Sequence, residues 1–204
     1  MKKELIERFG DHRVSDVPTL AGKTPLLVLD LELKTPITVI VTNGLRNYNM
    51  PVPEKLKGLE HTEIYFCLPS YWEWEDTENP LFNWIFEWID KLSKFVVESN
   101  SWFGHGHTMP CGKERKSLSA TMLQNHLLLA KPLLLEDELT PIQVDGKEIN
   151  FLSIIPIFPD EMDYKQGKGT YKFLKKLTGH GVTEKLDDYR STVLRSKWRF
   201  KRRL

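Results

Sequence analysis

Two cysteines, Cys67 and Cys111, are all that 204 residues contain, which excludes a disulfide-stapled scaffold and a zinc site made of thiolates alone. Cys67 lies inside an apolar, strand-like run and reads as a small buried hydrophobe. No stretch approaches the roughly 20 apolar residues of a membrane-spanning helix. The N-terminus, Met1 to Phe9, is charged throughout and lacks the apolar core of a secretory signal. The expectation is a cytoplasmic protein without a membrane partner.

Catalytic signatures are equally scarce. No Gly-x-Ser-x-Gly elbow presents a nucleophilic serine. Gly167-Lys168-Gly169-Thr170 lacks the upstream glycine and the preceding strand of a phosphate-binding loop. His105 and His107 flank Gly106, so in an extended strand both imidazoles would share a face, and Glu161 or Asp163 could add an oxygen ligand. No third ligand is fixed by spacing, however, and Gly104 and Gly106 are equally explained by close backbone approach. The sequence therefore predicts no catalytic residue, no metal and no cofactor. A metal-dependent hydrolase using His105, His107 and Glu161 is the most distant alternative.

What the chain does have is an aromatic-rich core supply, with six Trp, six Tyr and ten Phe, and enough length for one domain. Leu5, Ile6 and Phe9 fall at helical spacing before Gly10. Leu26 to Leu33 and Ile37 to Thr42 read as strands joined by a turn at Lys34-Thr35-Pro36, and Thr62 to Leu68 as a third that Pro69 stops. From Pro80 to Glu98, apolar residues recur at steps of three and four, with Asn79 as N-cap and Glu87, Asp90, Lys91 and Lys94 on the polar face. Strands are expected at His105 to Met109 and Asn125 to Ala130, then a hairpin at Asp145-Gly146 returning as a central strand to Phe158. Helical segments follow over 160–177, broken at Gly167-Lys168-Gly169, with a last short helix over 184–194. This order predicts an α+β fold, one domain with a mixed or largely antiparallel sheet packed against helices.

Charge is unevenly placed. Residues 195–204 carry six Lys or Arg and no acid, so the rest holds 23 basic against 28 acidic residues, a net −5. The tail reads as a solvated appendage to a domain spanning 1–194, and a nucleic-acid partner is not expected. Acids gather at Glu73, Glu75, Asp76 and Glu78, at Glu136-Asp137-Glu138, and at Asp160-Glu161 with Asp163. Tyr71, Trp72 and Trp74 interleave with the first group, and aromatics amid charge are typical of binding hot spots. Tyr71, Trp72, Glu73, Trp74, Glu75, Asp76, Asp160 and Glu161 are therefore the candidate partner-binding residues.

Four clusters of residues carry a family resemblance: Leu68-Pro69 with Trp72; Trp102 with Gly104, Gly106, His107 and Pro110; Phe151 with Ile155 and Pro156; and Glu161-Met162. In this order and spacing the chain resembles the bacterial branch of the Suppressor of fused domain family over roughly residues 1–194. The resemblance implies a non-catalytic binding protein. Bacterial members look like immunity proteins that neutralise a cognate polymorphic toxin by binding it, whereas the animal member clamps a transcription-factor peptide with a C-terminal half that this chain lacks. A stand-alone regulatory adaptor is the second reading.

Overall fold

Strands that are apolar on alternate residues, and in places on every residue, need cover on both sides. The computed structural model describes residues 1–18, 23–112, 114 and 116–194, and its strands have that cover. In chain order the elements are α1 (Lys2–Phe9), β1 (Val14–Asp16), β2 (Leu26–Glu32), β3 (Pro36–Thr42), β4 (Thr62–Pro69), α2 (Trp84–Glu98), β5 (Thr108–Pro110), β6 (His126–Ala130), β7 (Ile142–Val144), β8 (Lys147–Ile157), α3 (Pro159–Lys168) and α4 (Thr170–Gly179). The sheet runs β1-β2-β3-β4-β8-β6-β5, with β7 also paired to β8. Between the named strands only the central β4–β8 pairing is parallel and the others are antiparallel. It is a mixed sheet packed against helices.

Alternation along the strands divides the core. Val28, Ile40, Ile64, Phe66, Leu68, Leu127 and Ile154 point to the side where α2 lays down Trp84, Ile85, Ile89, Leu92 and Val96. Leu27, Leu29, Val39, Val41, Tyr65 and Cys67 point the other way, under Leu5 of α1 and the loop residues Leu135 and Leu139. At the far end of that second side, Leu128, Ala130, Ile155 and Ile157 are covered by Phe173, Leu174 and Leu177 of α4. All eight residues of β4 are buried, because it lies mid-sheet between layers.

The β2–β3 hairpin runs in register from Leu26 opposite Thr42 to Glu32 opposite Pro36. The Asp145-Gly146 turn has φ of 50° and 76°, the left-handed pair that a two-residue hairpin requires. Four expectations fail, the first being the strand expected at His105 to Met109, which begins only at Thr108. Helix α2 begins at Trp84, four residues late, because tertiary bonds claim the preceding groups: the Trp72 indole N–H donates to Phe82 O at 3.3 Å and the Asn83 amide to Thr77 O at 2.9 Å. Asp90, placed on the exposed face, is 5% exposed; it accepts from Thr24 N–H and Oγ1 and pairs with Lys23 and Lys94. Residues 184–194 form a strap rather than a helix, since their polar groups are engaged across the molecule, as described below.

The motif around Trp102 is a packing device. The Trp102 ring lies 4.3 Å from the His107 ring, centroid to centroid, and a Cβ at Gly104 would come within 2.4 Å of the indole. Gly106 has φ of 89°, and a Cβ there would meet Thr170 Oγ1 at 2.5 Å. Only glycine fits either position.

Candidate interaction surface

The strap is held by buried acids. Glu161, fully buried, meets Arg190 through two bonds of 2.7 and 2.8 Å and also accepts from the Phe158 and Val193 N–H groups, each at 3.0 Å. Arg190 further donates to Pro156 O of β8 at 2.7 Å. Asp160 caps the same junction, accepting from Thr192 Oγ1 at 2.8 Å. At the strap's start, Glu184 accepts the N–H groups of Leu133, Leu134 and Leu135 and the Tyr65 hydroxyl, while Leu186 N–H donates to Cys67 O at 2.8 Å. Glu161 is therefore an internal anchor and not a contact residue, which corrects its place in the candidate set.

The strap so anchored carries Asp187, Asp188 and Tyr189 to the aromatic loop after β4. Tyr71 donates its hydroxyl to Asp188 at 2.8 Å, and its ring lies 6.4 Å from that of Tyr189. Tyr71 is 49% and Tyr189 83% exposed, and Glu73, Glu75, Asp76 and Asp187 are exposed alongside in these two segments. Two acidic, aromatic segments more than a hundred residues apart in sequence thus meet at one surface. The Tyr71 phenol is pushed upward by burial and by the Asp188 carboxylate that accepts its hydrogen bond, so it stays a neutral donor at physiological pH. Sequence reading missed Asp187, Asp188 and Tyr189, whose pairing with Tyr71 leaves no local signal.

Trp72 corrects the candidate set a second time. It is 4% exposed, edge-on to Phe82 and Trp84 at 5.3 and 5.9 Å, and so anchors the loop from within. Trp74 is half-buried and turns away to line, with Glu75, a cleft bounded by Val17, Pro18 and Leu26 on one side and Phe86, Glu87 and Asp90 of α2 on the other.

The drawn metal site does not assemble. His105 and Gly106 lie in a turn and not a strand; His107 packs on Trp102. The Lys131 N–H donates to His105 Nδ1 at 3.1 Å, and His105 lines a separate cleft of about 190 Å³ with Lys131 and Glu136. Burial lowers the pKa of both imidazoles, with Lys131 and Lys165 adding to it respectively. Glu161 is committed to Arg190, and no group of three or more His, Cys, Asp or Glu among the described residues is placed to hold a metal.

Fold and core thus define an α+β domain with a mixed sheet covered on both faces. The chain belongs to the Suppressor of fused protein (SUFU) family, which matches residues 22–191, a family of regulators and not of enzymes. Solved structures that share the fold include the following three. One, from a Sufu–Fu complex, is 18% identical with a TM-score of 0.66, over 94% of this chain and 89% of that one. A homologue from Neisseria gonorrhoeae FA 1090 is 15% identical with a TM-score of 0.63, over 95% and 94%. Drosophila Suppressor of fused is 19% identical with a TM-score of 0.60, over 85% of this chain but only 44% of its own length. No curated protein sequence matches the chain. No helix among the described residues is long and apolar enough to cross a membrane.

Proposed function

We propose that this protein acts by binding another protein, and that it neutralises a cognate toxin by masking the toxin's active or substrate-binding surface. The observation that carries the reading is the surface at which Tyr71 meets Asp188 and Tyr189, with Glu73 and Asp187 exposed next to them in the same two segments. Exposed aromatics supply contact area, and the carboxylates steer a basic partner. A toxin that acts on nucleic acid presents such a basic face, and a carboxylate surface can occupy the place of its phosphates. A chain of this fold occurs in a complex with a protein named Fu, which supports binding as the mode of action.

The test is co-expression with the product of the adjacent gene, scoring rescue of growth and recovery of a complex together. A stable complex without any toxicity to relieve would favour the second reading, a stand-alone regulatory adaptor that uses the same surface.

A further inference from the structure

We infer that the outward face of α4, continued by the turn that joins it to α3, binds single-stranded nucleic acid, with lysines on the phosphates and Tyr171 under a base. The inference goes beyond the proposed function and does not rest on it. It uses residues that the acidic, aromatic surface does not.

Charge comes first. Residues 164–183 contain five lysines and no acid, whereas the other residues up to 194 contain 18 bases against 28 acids. None of the five lysines is in an ion pair among the described residues, while both lysines of α2, Lys91 and Lys94, are paired. Of the acids that border the segment, Glu184 is buried and engaged by the N–H groups of 133–135, and Asp163 pairs with none of the lysines.

The fold then gathers these charges. Phe173, Leu174 and Leu177 fix the side of α4 that covers the sheet, so Lys172 and Lys175, three residues apart, lie together on the opposite side, and both are exposed. Lys168 is exposed at the turn, where Gly169 has φ of 85°. Lys176 flanks them, its ammonium 5.8 Å from the centre of the Tyr164 ring. Tyr171 neighbours Lys175, four residues on, and is 78% exposed, with no hydrogen bond or ring contact among the described residues.

Lysines without acids attract a polyanion, and an aromatic ring with a free face stacks a base of any sequence. Tyr171 selects single strands, because the bases of a duplex are already stacked on one another. A lipid surface fits less well. Tyr171 is the only large apolar side chain exposed on α3 and α4, and an interfacial helix needs a broad apolar face.

The test is fluorescence anisotropy of labelled RNA and DNA dodecanucleotides, and of a duplex of the same length, titrated with the full chain. Four phosphate contacts, from Lys168, Lys172, Lys175 and Lys176, give a slope of log affinity on log salt of about −3, hence roughly fiftyfold weaker binding at 200 mM than at 50 mM salt. Both single strands should bind more tightly than the duplex, and the tighter of the two identifies the natural strand. Lys172→Glu with Lys175→Glu should weaken binding at least tenfold and halve the slope. Tyr171→Ala should weaken it at least fivefold with the slope unchanged, which separates stacking from charge. All three positions are exposed, and circular dichroism checks that the fold is kept. No binding at 50 mM salt, a duplex bound as tightly as the single strands, equal affinity for the lysine variant, or capture by phosphatidylserine vesicles in place of the oligonucleotides would each overturn the inference. Residues 195–204 carry six further bases, so a variant with those six replaced by Gln is titrated alongside. Binding that vanishes in it while the lysine variant binds like the wild type would also overturn the inference. Growth rescue by the lysine variant should be intact, so this inference and the proposed function fail separately.

Discussion

Replacing Arg190 with alanine should destabilise the protein by about 3–5 kcal/mol, the usual cost of stripping one partner from a buried ion pair. The structure supports the upper class of effect because the pair is enclosed, with side-chain exposures of 7% for Arg190 and 0% for Glu161. Without Arg190, Glu161 keeps only the Phe158 and Val193 N–H groups, and Pro156 O loses a 2.7 Å charged donor. For a chain of 204 residues, where 1 kcal/mol moves Tm by about 2–4 °C, the drop should be about 6–20 °C. Urea denaturation followed by tryptophan fluorescence gives the free energy. Hydrogen exchange at the Leu186 amide, bonded to Cys67 O at 2.8 Å, reports whether the strap has lifted. Pairing Arg190→Met with Glu161→Gln removes both charges and should recover part of the loss. A cost below about 1 kcal/mol, the range of exposed ion pairs, with the Leu186 amide still protected, would refute the anchoring role.

Other expectations follow from the same structure. Burial works against the charge on Asp90, but hydrogen bonds from Lys94, Thr24 and Lys23 hold its pKa down to about 2; its contribution is present above the unfolded value near ~4 and is lost as pH falls toward 2. Wild type should therefore lose about 2 kcal/mol more than Asp90→Asn between pH 5 and 2, read from paired urea midpoints, and parallel curves would contradict this. Burial pushes Cys111 up to about 12 and Cys67 higher still, so a thiol reagent at pH 8 should label neither until the protein opens, at rates that rise with urea; rapid labelling of the native protein would rule this out. Gly106→Ala should be poorly tolerated, by more than about 1 kcal/mol, because its φ is left-handed and Thr170 blocks a Cβ; unchanged thermal stability would show that the contact yields.

Local patterns made much of the fold legible. The β-branched run over 37–42, the Asp145-Gly146 turn and the three-and-four spacing in α2 each encode their element within a few residues. Long-range contacts hid the rest. Glu161 reads as one acid in a surface cluster until Arg190, 29 residues on, is seen beside it. Asp90 sits on the polar stripe of α2 by periodicity, yet the residues entering β2 bury it. Residues 184–194 have helical composition, but Glu184 spends its oxygens on the N–H groups of 133–135 and Arg190 its guanidinium on β8 and α3. The candidate surface was half legible. Tyr71 and its neighbouring acids stood out by composition, Trp72 proved to be core, and Asp187 to Tyr189 became visible only when the strap brought them to Tyr71. The basic run 195–204 lies outside the described residues.

The central claim is that the meeting of the 71–76 loop and the strap forms a partner-binding surface. Its most direct measurement is isothermal titration of the adjacent gene's product with wild type and with the Glu73→Lys, Asp187→Lys, Asp188→Lys variant, after circular dichroism shows matching folds. The account predicts a tight wild-type complex, weakened by at least a hundredfold in the variant, with growth rescue lost in parallel. Equal affinity for both proteins, with rescue intact, would contradict it and place the interface elsewhere on the molecule.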